Sequence, residues 1–399
     1  ETLQRTANRG SVSTGYDIDN SIKFEADNSE QLYRTPSSAG NTKTWTYSVW
    51  FKRTELGVSS QLISALDTYM YFETNDQAWL NFRSGSENFF LATNRVFRDT
   101  SAWYHAVIVC DTTDSTAADR AKLYINGERQ TSYANSTYQN LDSNDTTGMN
   151  ATTVHRIGVY SNYGAYFNGY MAEINQIDGQ ALAPTEFGEV DSDTGIWIPK
   201  KYTGSYGTNG FYLDFADASD LGDDESGNGN DFTEGSITAA DQATDTPTNN
   251  FCTLNPLYNY AYGNTITEGA TKIYGAANNW GGGKATFGLT SGKWYWEIKP
   301  LANGNTFMGL QTDGEDNISS GNAQSQNTSV VFYTDGTLQY SNGSETTTSA
   351  PNSIVANTIV GFALDLDSST QTIKVYLNGS LITTFGSSGT ANLSTYNIA

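Results

Sequence analysis

The sequence predicts an all-β protein made of two consecutive antiparallel β-sandwiches, or jelly rolls, preceded by an extended N-terminal arm. Two observations predict this class. Apolar and polar residues alternate in short runs that recur about every ten residues, which is the spacing of strands in a sandwich. Gly, Asn, Asp and Ser separate these runs, and no stretch sustains the period of a helix.

The alternating runs occur in both halves of the chain. Residues 44–52 place Trp45, Tyr47 and Val49 on one face of a strand. Three Asn-Gly or Asp-Gly pairs, which begin at residues 126, 335 and 378, each stand between two such runs. Because these pairs tolerate positive φ, they predict tight two-residue hairpins.

The pattern divides the chain into four parts. Residues 1–20 lack a buried pattern and form the predicted arm, and residues 21–215 form the first sandwich. Residues 216–250 are rich in Asp, Gly, Asn, Thr and Ser and poor in large apolar residues, so they are predicted to be an acidic Gly/Asn-rich loop and linker. Residues 251–399 form the second sandwich.

Charge and composition exclude several function classes. The chain has 399 residues and a formal net charge of −22, which disfavours a partner with a phosphate backbone because such binding needs a basic surface. No apolar run is long enough to span a membrane. With two cysteines and two histidines, a cysteine zinc site or a multi-histidine metal site is not expected.

Residues 21–190 resemble the laminin-G-like, concanavalin-A-like jelly rolls, close to the pentraxins. The segments that carry the resemblance follow the family's order and are 21–32, 45–52, 103–111, 122–128, 167–174 and 181–187. This resemblance implies a sandwich of the first half. It also raises the question of enzymatic activity, because the family includes laminarinase-type glucanases.

Residues 251–399 resemble a SPRY domain. The segments concerned are 292–298, 307–310, 360–367 and 374–379. The family usually ends with a further aromatic strand, whereas the sequence given ends at Ala399. The resemblance therefore implies that this sandwich is incomplete at its C-terminus and that the chain is part of a longer protein.

The arrangement as a whole resembles virion proteins of marine tailed phages. Segments 3–11, 43–46, 169–180 and 246–256 carry this resemblance. It implies a structural fibre or surface protein, located on the virion, with other virion subunits as partners. We expect a homo-oligomer that binds polysaccharide on the host surface, with no nucleic-acid partner and no membrane insertion.

The alternative function is a secreted polysaccharide-active enzyme of the concanavalin-A-like glucanase class. A glycosidase of this type needs two carboxylates on one face of a strand. The best candidate is Glu173, but strand alternation places Asn175 and Ile177 on its face and turns Asp178 away. The sequence therefore favours a protein without catalytic residues.

A second candidate site is the densest group of oxygen-bearing side chains. Flexible loops of Asp, Asn and Gly can supply the six to eight oxygens that Ca²⁺ prefers. The candidate ligands are Asp223, Asp224, Asn228, Asn230 and Asp231. The loop lacks the strict spacing of an EF-hand. A solvated loop without a metal is therefore the alternative interpretation.

A third candidate is a run of tyrosines, Tyr160, Tyr163, Tyr166 and Tyr170, among Asn and Gly residues. Tyrosine rings stack on the C–H faces of sugars, while amides and carboxylates bind the hydroxyls. Tyrosine is also favoured at subunit interfaces. The run therefore predicts either a glycan contact or a contact with another subunit.

Overall fold

The computed structural model describes residues 15–84, 87–137, 141–160, 164–260, 264–275, 282–303, 306–311, 329–333, 337–341, 345–349 and 354–385. The chain forms two compact units. Unit 1 extends to Tyr258 and includes Thr265–Tyr274 and Gly283–Thr286, and unit 2 consists mainly of the chain from Phe287 onward. In the described part, regular structure is strand, with single 3-10 turns at Ala26–Asn28, Ala117–Asp119, Pro184–Glu186 and Ala239–Asp241. The all-β prediction is confirmed.

Eighteen strands of unit 1 precede residue 244. They are β1 (Ser21–Phe24), β2 (Gln31–Arg34), β3 (Thr44–Arg53), β4 (Ser60–Ala65), β5 (Thr68–Phe72), β6 (Gln77–Ser84), β7 (Glu87–Val96), β8 (Tyr104–Asp111), β9 (Ala121–Ile125), β10 (Glu128–Arg129), β11 (Tyr133–Ser136), β12 (His155–Ile157), β13 (Gly169–Asp178), β14 (Gly188–Val190), β15 (Trp197–Pro199), β16 (Phe211–Leu213), β17 (Thr233–Gly235) and β18 (Gln242–Ala243). Four further strands follow, which are β19 (Leu254–Tyr260), β20 (Thr265–Thr267), β21 (Lys272–Tyr274) and β22 (Gly282–Ala285).

Two eight-stranded antiparallel sheets build unit 1. Sheet 1 has the order β10-β9-β8-β3-β13-β1-β18, with β16 added beside β13. Sheet 2 has the order β11-β7-β6-β5-β4-β12-β2-β17. Sequence neighbours are often separated in the sheets, so the pairing joins distant segments, as in a jelly roll.

The core of unit 1 lies between the inner faces of these sheets. Alternate residues of β3, including Trp45, Tyr47, Val49 and Phe51, point into it from sheet 1, as the alternation predicted. Phe72 and other residues of sheet 2 face them. Phe51 and Phe72 lie with ring centroids 5.3 Å apart. The inner faces of the two sheets are therefore apolar.

The predicted hairpins at two of the three positions are confirmed. Asn126 and Gly127 have φ of 50° and 78°, and Asn378 and Gly379 have φ of 48° and 80°. Both residues of each pair occupy the left-handed region that a tight hairpin between twisted strands requires. The pair at Asp335 lies outside the described residues.

Residues 216–250 are not a linker, because the structure incorporates them into unit 1. Leu221, Phe232 and Ile237 lie in its core. Strand β17 extends sheet 2 beside β2, and β18 extends sheet 1 beside β1. The first sandwich thus continues well beyond residue 215, because a few buried apolar side chains fix this polar segment in the core.

The described end of the predicted arm, residues 15–20, also packs on unit 1. Ile18 is 3% exposed. Its backbone N–H donates to Thr248 Oγ1 over 3.0 Å, and its carbonyl accepts a bond from Thr246 Oγ1 over 2.8 Å. These contacts fix residues 15–20 to the segment that follows β18. Residues 1–14 lie outside the described part.

Unit 2 contains two four-stranded antiparallel sheets. Its strands are β23 (Lys293–Ile298), β24 (Phe307–Gln311), β25 (Ser329–Tyr333), β26 (Thr337–Ser341), β27 (Glu345–Ser349), β28 (Val360–Asp365), β29 (Thr372–Leu377) and β30 (Ser380–Phe385). The sheet orders are β23-β28-β29-β30 and β24-β25-β26-β27. Phe362, Ile373 and Val375 lie in its core with Met308. No described helix in either unit is long and apolar enough to cross a membrane.

The packing of residues 216–250 predicts the effect of substituting Phe232. Its ring is buried 4.7 Å from that of Phe211, so Phe232→Ala should lower the free energy of unfolding of unit 1 by about 3–5 kcal/mol. Phe251→Ala is the matched control, because that ring is 47% exposed. Urea unfolding measures both. Equal, small effects would contradict the placement of this segment in the core.

Candidate functional site

Five aromatic side chains form a row on the outer face of sheet 2. We call them the aromatic row, and they are Tyr160, Tyr69, Tyr71, Trp79 and Phe90. Tyr69 and Tyr71 are alternate residues of β5, whose other residues, Thr68, Met70 and Phe72, are buried. Strand alternation therefore turns the tyrosines away from the core. All five side chains of the row are half-buried.

The register of sheet 2 brings these rings together. Tyr71 lies opposite Trp79 on β6, and Tyr69 lies opposite Asn81, which in turn lies opposite Phe90 on β7. Successive ring centroids are 4.8, 5.7, 6.0 and 5.5 Å apart from Tyr160 to Phe90. Cross-strand aromatic pairs at such distances attract each other. The result is one continuous apolar strip across three strands.

Polar groups flank the strip. The Asn81 side chain stands among the rings, since its strand neighbours in the register are Tyr69 and Phe90. Glu73 lies beside Tyr71, and burial together with the charge of Glu73 raises the pKa of the Tyr71 hydroxyl. Ser59 Oγ donates to Glu73 Oε1 over 3.1 Å. The surface thus offers ring faces, an amide and a carboxylate within a small area.

The structure separates the four predicted tyrosines. Tyr160 belongs to the aromatic row. Tyr163 lies outside the described residues, and Tyr166 is half-buried. Tyr170 is 4% exposed, and its hydroxyl donates to the carbonyl of Gly269 over 2.9 Å. Tyr170 is therefore an internal packing residue, because it belongs to β13 and faces the covered side of sheet 1.

Of the five residues in the aromatic row, the sequence predicted only Tyr160 as a site residue. Its residues are scattered over β5, β6 and β7, and only the register of these strands makes them neighbours. A signal existed, since Tyr69 and Tyr71 occupy the alternate positions of a strand whose other face is apolar. Aromatic residues at alternate, outward positions of consecutive strands would have predicted an aromatic outer face.

The outer face of sheet 1 is covered by the chain itself. Trp197 of β15 donates its Nε1 hydrogen to His105 Nδ1 over 2.9 Å, and Trp50 stacks on the same imidazole with ring centroids 4.6 Å apart. Burial lowers the pKa of His105 to about 3, so the ring is neutral. Its Nε2 hydrogen is then directed at Ser48 Oγ, 2.8 Å away. His105 thus holds Trp197, and with it β15, against the outer face of sheet 1.

The predicted calcium loop is held together by hydrogen bonds. Asp224 is buried and accepts bonds from the backbone N–H groups of Tyr212, Ser226 and Asn230 at 2.8 to 2.9 Å. Its Oδ2 also accepts a hydrogen bond from the Ser226 hydroxyl. These donors occupy the positions around the carboxylate where a cation would bind.

The other predicted ligands do not fit a cation either. The side-chain amides of Asn228 and Asn230 donate to backbone carbonyls, and Arg34 donates its guanidinium hydrogen to Asn230 Oδ1. Asp223 and Asp231 are exposed. Among the described residues, no group of His, Cys, Asp and Glu side chains is arranged to hold a metal. We therefore propose no calcium site at this loop.

Glu173 is a buried carboxyl group at a β-bulge. The register between β3 and β13 shifts there, and Glu173 has φ of 51°, which is unfavourable for a residue with a Cβ. Its Oε1 accepts hydrogen bonds from Tyr212 over 2.6 Å and from Tyr16 over 2.9 Å. Burial raises its pKa to about 7, the charge of Asp214 acts in the same direction, and Lys201 opposes it.

The candidate acid pair of the glycosidase alternative is not assembled around Glu173. Asp178 points away and accepts backbone bonds from Asn41 over 2.7 Å and Asn209 over 2.9 Å. Asn175 occupies the face of Glu173, and Tyr206 donates to its Oδ1 over 2.9 Å. With an amide in that place, the strand does not present the two carboxylates that a glycosidase of this class requires.

Comparisons with known proteins agree with this architecture. Residues 26–186 match the family described as the Concanavalin A-like lectin/glucanases superfamily (Laminin_G_3). The matched segment is less than half of the chain. This part therefore has the laminin-G-like, concanavalin-A-like fold that the sequence predicted. No curated protein matches the chain.

Solved structures are similar only distantly. A putative carbohydrate binding protein from Bacteroides ovatus is 14% identical with a TM-score of 0.38, over 57% of this chain and 60% of that chain, which is less than two thirds of its length. A heptameric SAP-like pentraxin from Limulus polyphemus is 16% identical with a TM-score of 0.32, over 42% and 80%. Mouse laminin alpha1 domains LG4-5 are 11% identical with a TM-score of 0.32, over 96% and 81%. At these values the likenesses concern the fold alone.

The raised pKa of Glu173 predicts a pH-dependent stability. A carboxyl whose pKa rises from 4.5 to about 7 on folding binds its proton more tightly in the folded state. Its contribution is present below about pH 4.5 and is lost as the pH rises through about 7, amounting to about 3 kcal/mol.

The variant Glu173→Gln isolates this group, because glutamine can still accept both tyrosine bonds but does not titrate. The difference in free energy of unfolding between the variant and the wild type should grow in favour of the variant between pH 4.5 and 8. Urea unfolding at several pH values gives this difference. A difference that is independent of pH would show that Glu173 titrates normally.

Proposed function

We propose that this chain is a non-enzymatic structural protein of a virion, a fibre or surface appendage, which binds host-surface glycans through the aromatic row. The observation that carries the glycan-binding part is the row itself. It is a strip of rings on the outer face of a sheet in a concanavalin-A-like unit, and both an amide and a carboxylate stand beside it.

The chemistry of the row suits a sugar chain. Pyranose rings have apolar C–H faces and a rim of hydroxyls, so they stack on aromatic faces and accept or donate hydrogen bonds at their edges. The Asn81 amide can do both, and the Glu73 carboxylate accepts. A strip that crosses three strands also gives an extended ligand several contact points, which favours a polysaccharide over a monosaccharide.

The charge of the chain limits the class of glycan. A net charge of −22 repels polyanions at low and moderate ionic strength. We therefore propose neutral polysaccharides as ligands, rather than sulfated or uronate-rich ones.

Three parts of this proposal rest on the sequence resemblances: the virion location, the other virion subunits as partners, and the SPRY-like character of unit 2. The homo-oligomer rests on the preference of tyrosine for subunit interfaces. The two four-stranded sheets of unit 2 are compatible with a SPRY-like sandwich. Labelling intact phage particles with an antibody against the chain, followed by electron microscopy, tests the location. Absence of the chain from purified particles would contradict it.

The aromatic row predicts the effect of Tyr71→Ala on binding. Loss of the central ring should weaken binding to a retained neutral polysaccharide at least tenfold, which corresponds to about 1.4 kcal/mol. Tyr71→Phe should keep most of the affinity, because the ring face remains. Affinity electrophoresis in gels containing candidate polysaccharides measures both variants.

Tyr274→Ala is the matched control, since that tyrosine is 49% exposed and lies outside the row. Equal effects of Tyr71→Ala and Tyr274→Ala would contradict the proposed site. If Tyr71→Ala instead changes the oligomeric state in size-exclusion chromatography with unchanged polysaccharide binding, the row is a subunit interface. Release of reducing sugars from the bound polysaccharide would favour the enzyme alternative.

A further inference from the structure

A lysine, an asparagine and an aspartate meet in the interior of unit 1. Lys52 of β3 has a side chain with no solvent exposure. Its Nζ donates to Asn250 Oδ1 over 2.9 Å, to Asp245 Oδ2 over 2.8 Å and to the carbonyl of Phe251 over 2.7 Å. Asp245 is 5% and Asn250 is 8% exposed. An amine, a carboxamide and a carboxylate are thus in direct contact away from water.

We propose that Lys52 and Asn250 form an intramolecular isopeptide bond, with Asp245 as the proton-transfer group. The bond joins Lys52 Nζ to Asn250 Cγ and releases the Asn250 side-chain nitrogen as ammonia. No oxidant, cofactor or second protein takes part. The reaction follows folding, because 198 residues separate the two positions in the sequence.

The amine lies next to the carbonyl group that the reaction would use. Nζ lies 2.9 Å from Oδ1, and the electrophilic Cγ is one carbonyl bond, about 1.2 Å, from that oxygen. The other end of the amide is also held, since Asn250 Nδ2 donates to the Ser101 carbonyl over 2.8 Å. Two fixed ends orient the carboxamide plane, and such orientation is a large part of the acceleration of an intramolecular reaction.

The surroundings favour the reactive form of the amine. Burial lowers the pKa of Lys52, and the charge of Asp245 opposes that effect. An amine is a nucleophile only when it is neutral, and desolvation is an established way to produce that form. The ring of Tyr170 lies beside the group, with its centroid 6.0 Å from Nζ.

Asp245 is placed to move the proton. Its Oδ2 accepts the Lys52 bond, while its Oδ1 accepts a bond from Trp103 Nε1 over 2.9 Å and one from the Phe251 N–H over 3.2 Å. The carboxylate takes one proton from the Lys52 ammonium, which leaves the neutral amine to attack Cγ. The same proton then passes to the departing nitrogen. The departing nitrogen leaves as ammonia, the former amine gives its second proton to the Asp245 carboxylate, and the carbonyl re-forms as the new amide.

Lys23 provides an internal contrast. Its ammonium lies 2.6 Å from Glu268 and 3.1 Å from Asp241. Two carboxylates favour the charged amine, and carboxylates are poor acceptors for attack by an amine. An ordinary buried ion pair therefore explains Lys23, whereas Lys52 has a carboxamide as its partner.

The intact mass of the purified full-length chain tests the proposal. The bond removes one ammonia, so we expect a mass about 17 Da below that of the sequence. After denaturation and trypsin, Lys52 should resist cleavage. The peptide of residues 44–53 should then be recovered covalently joined to that of residues 202–272, the tryptic peptide that contains Asn250.

Variants distinguish this bond from a cyclised asparagine, which also loses ammonia. Lys52→Arg and Asn250→Ala should both restore the full mass, whereas a cyclised asparagine would persist in Lys52→Arg. Asp245→Asn should leave the full mass as well. Lys23→Arg and Asn249→Ala are matched controls that should keep the deficit. Recovery of unlinked peptides 44–52 and 202–272 from the folded wild-type protein would overturn the proposal, whether or not the variants fold.

Discussion

One buried amine determines how the last segment of unit 1 lies on the sandwich. Lys52 projects from the outer face of sheet 1, where water would ordinarily solvate it, yet its side chain has no exposure. While the chain folds, and before the proposed bond forms, a buried ammonium is tolerated only when all its hydrogens are bonded and its charge is compensated. Asp245, Asn250 and the carbonyl of Phe251 supply these partners. The segment of residues 245–251 must therefore lie against β3.

This constraint has consequences for the rest of the face. The segment that contacts Lys52 also holds Ile18 through Thr246 and Thr248, so the described end of the N-terminal segment is fixed as well. Together with the covering by Trp197, these contacts close the outer face of sheet 1. The outer face of sheet 2 instead carries a half-exposed row of rings. The asymmetry between the two faces is the physical reason to look for a ligand on sheet 2.

The sequence predicted what depends on local pattern. The alternation in β3 and the positive φ at Asn126 and Gly127 follow from neighbours in the chain, and the fold class follows from them. Residues 216–250 were misjudged because average composition hides single buried residues such as Phe232. The predicted tyrosines were adjacent in sequence, whereas the aromatic row depends on register between strands, which a single sequence does not reveal. Tyr170 was predicted to be a contact residue but is buried, because residues distant in the sequence, such as Gly269, cover its face of sheet 1.

We place the proposed ligand surface on sheet 2 and not on sheet 1. Hydroxyl-radical footprinting of the chain, free and bound to a neutral polysaccharide, distinguishes the two faces. We expect Tyr71 and Trp79 to be oxidised in the free protein and protected in the complex. Trp103 and Tyr170, at 2% and 4% exposure, should stay unreactive in both. Protection confined to residues outside sheet 2, with the aromatic row equally oxidised in both states, would contradict this placement.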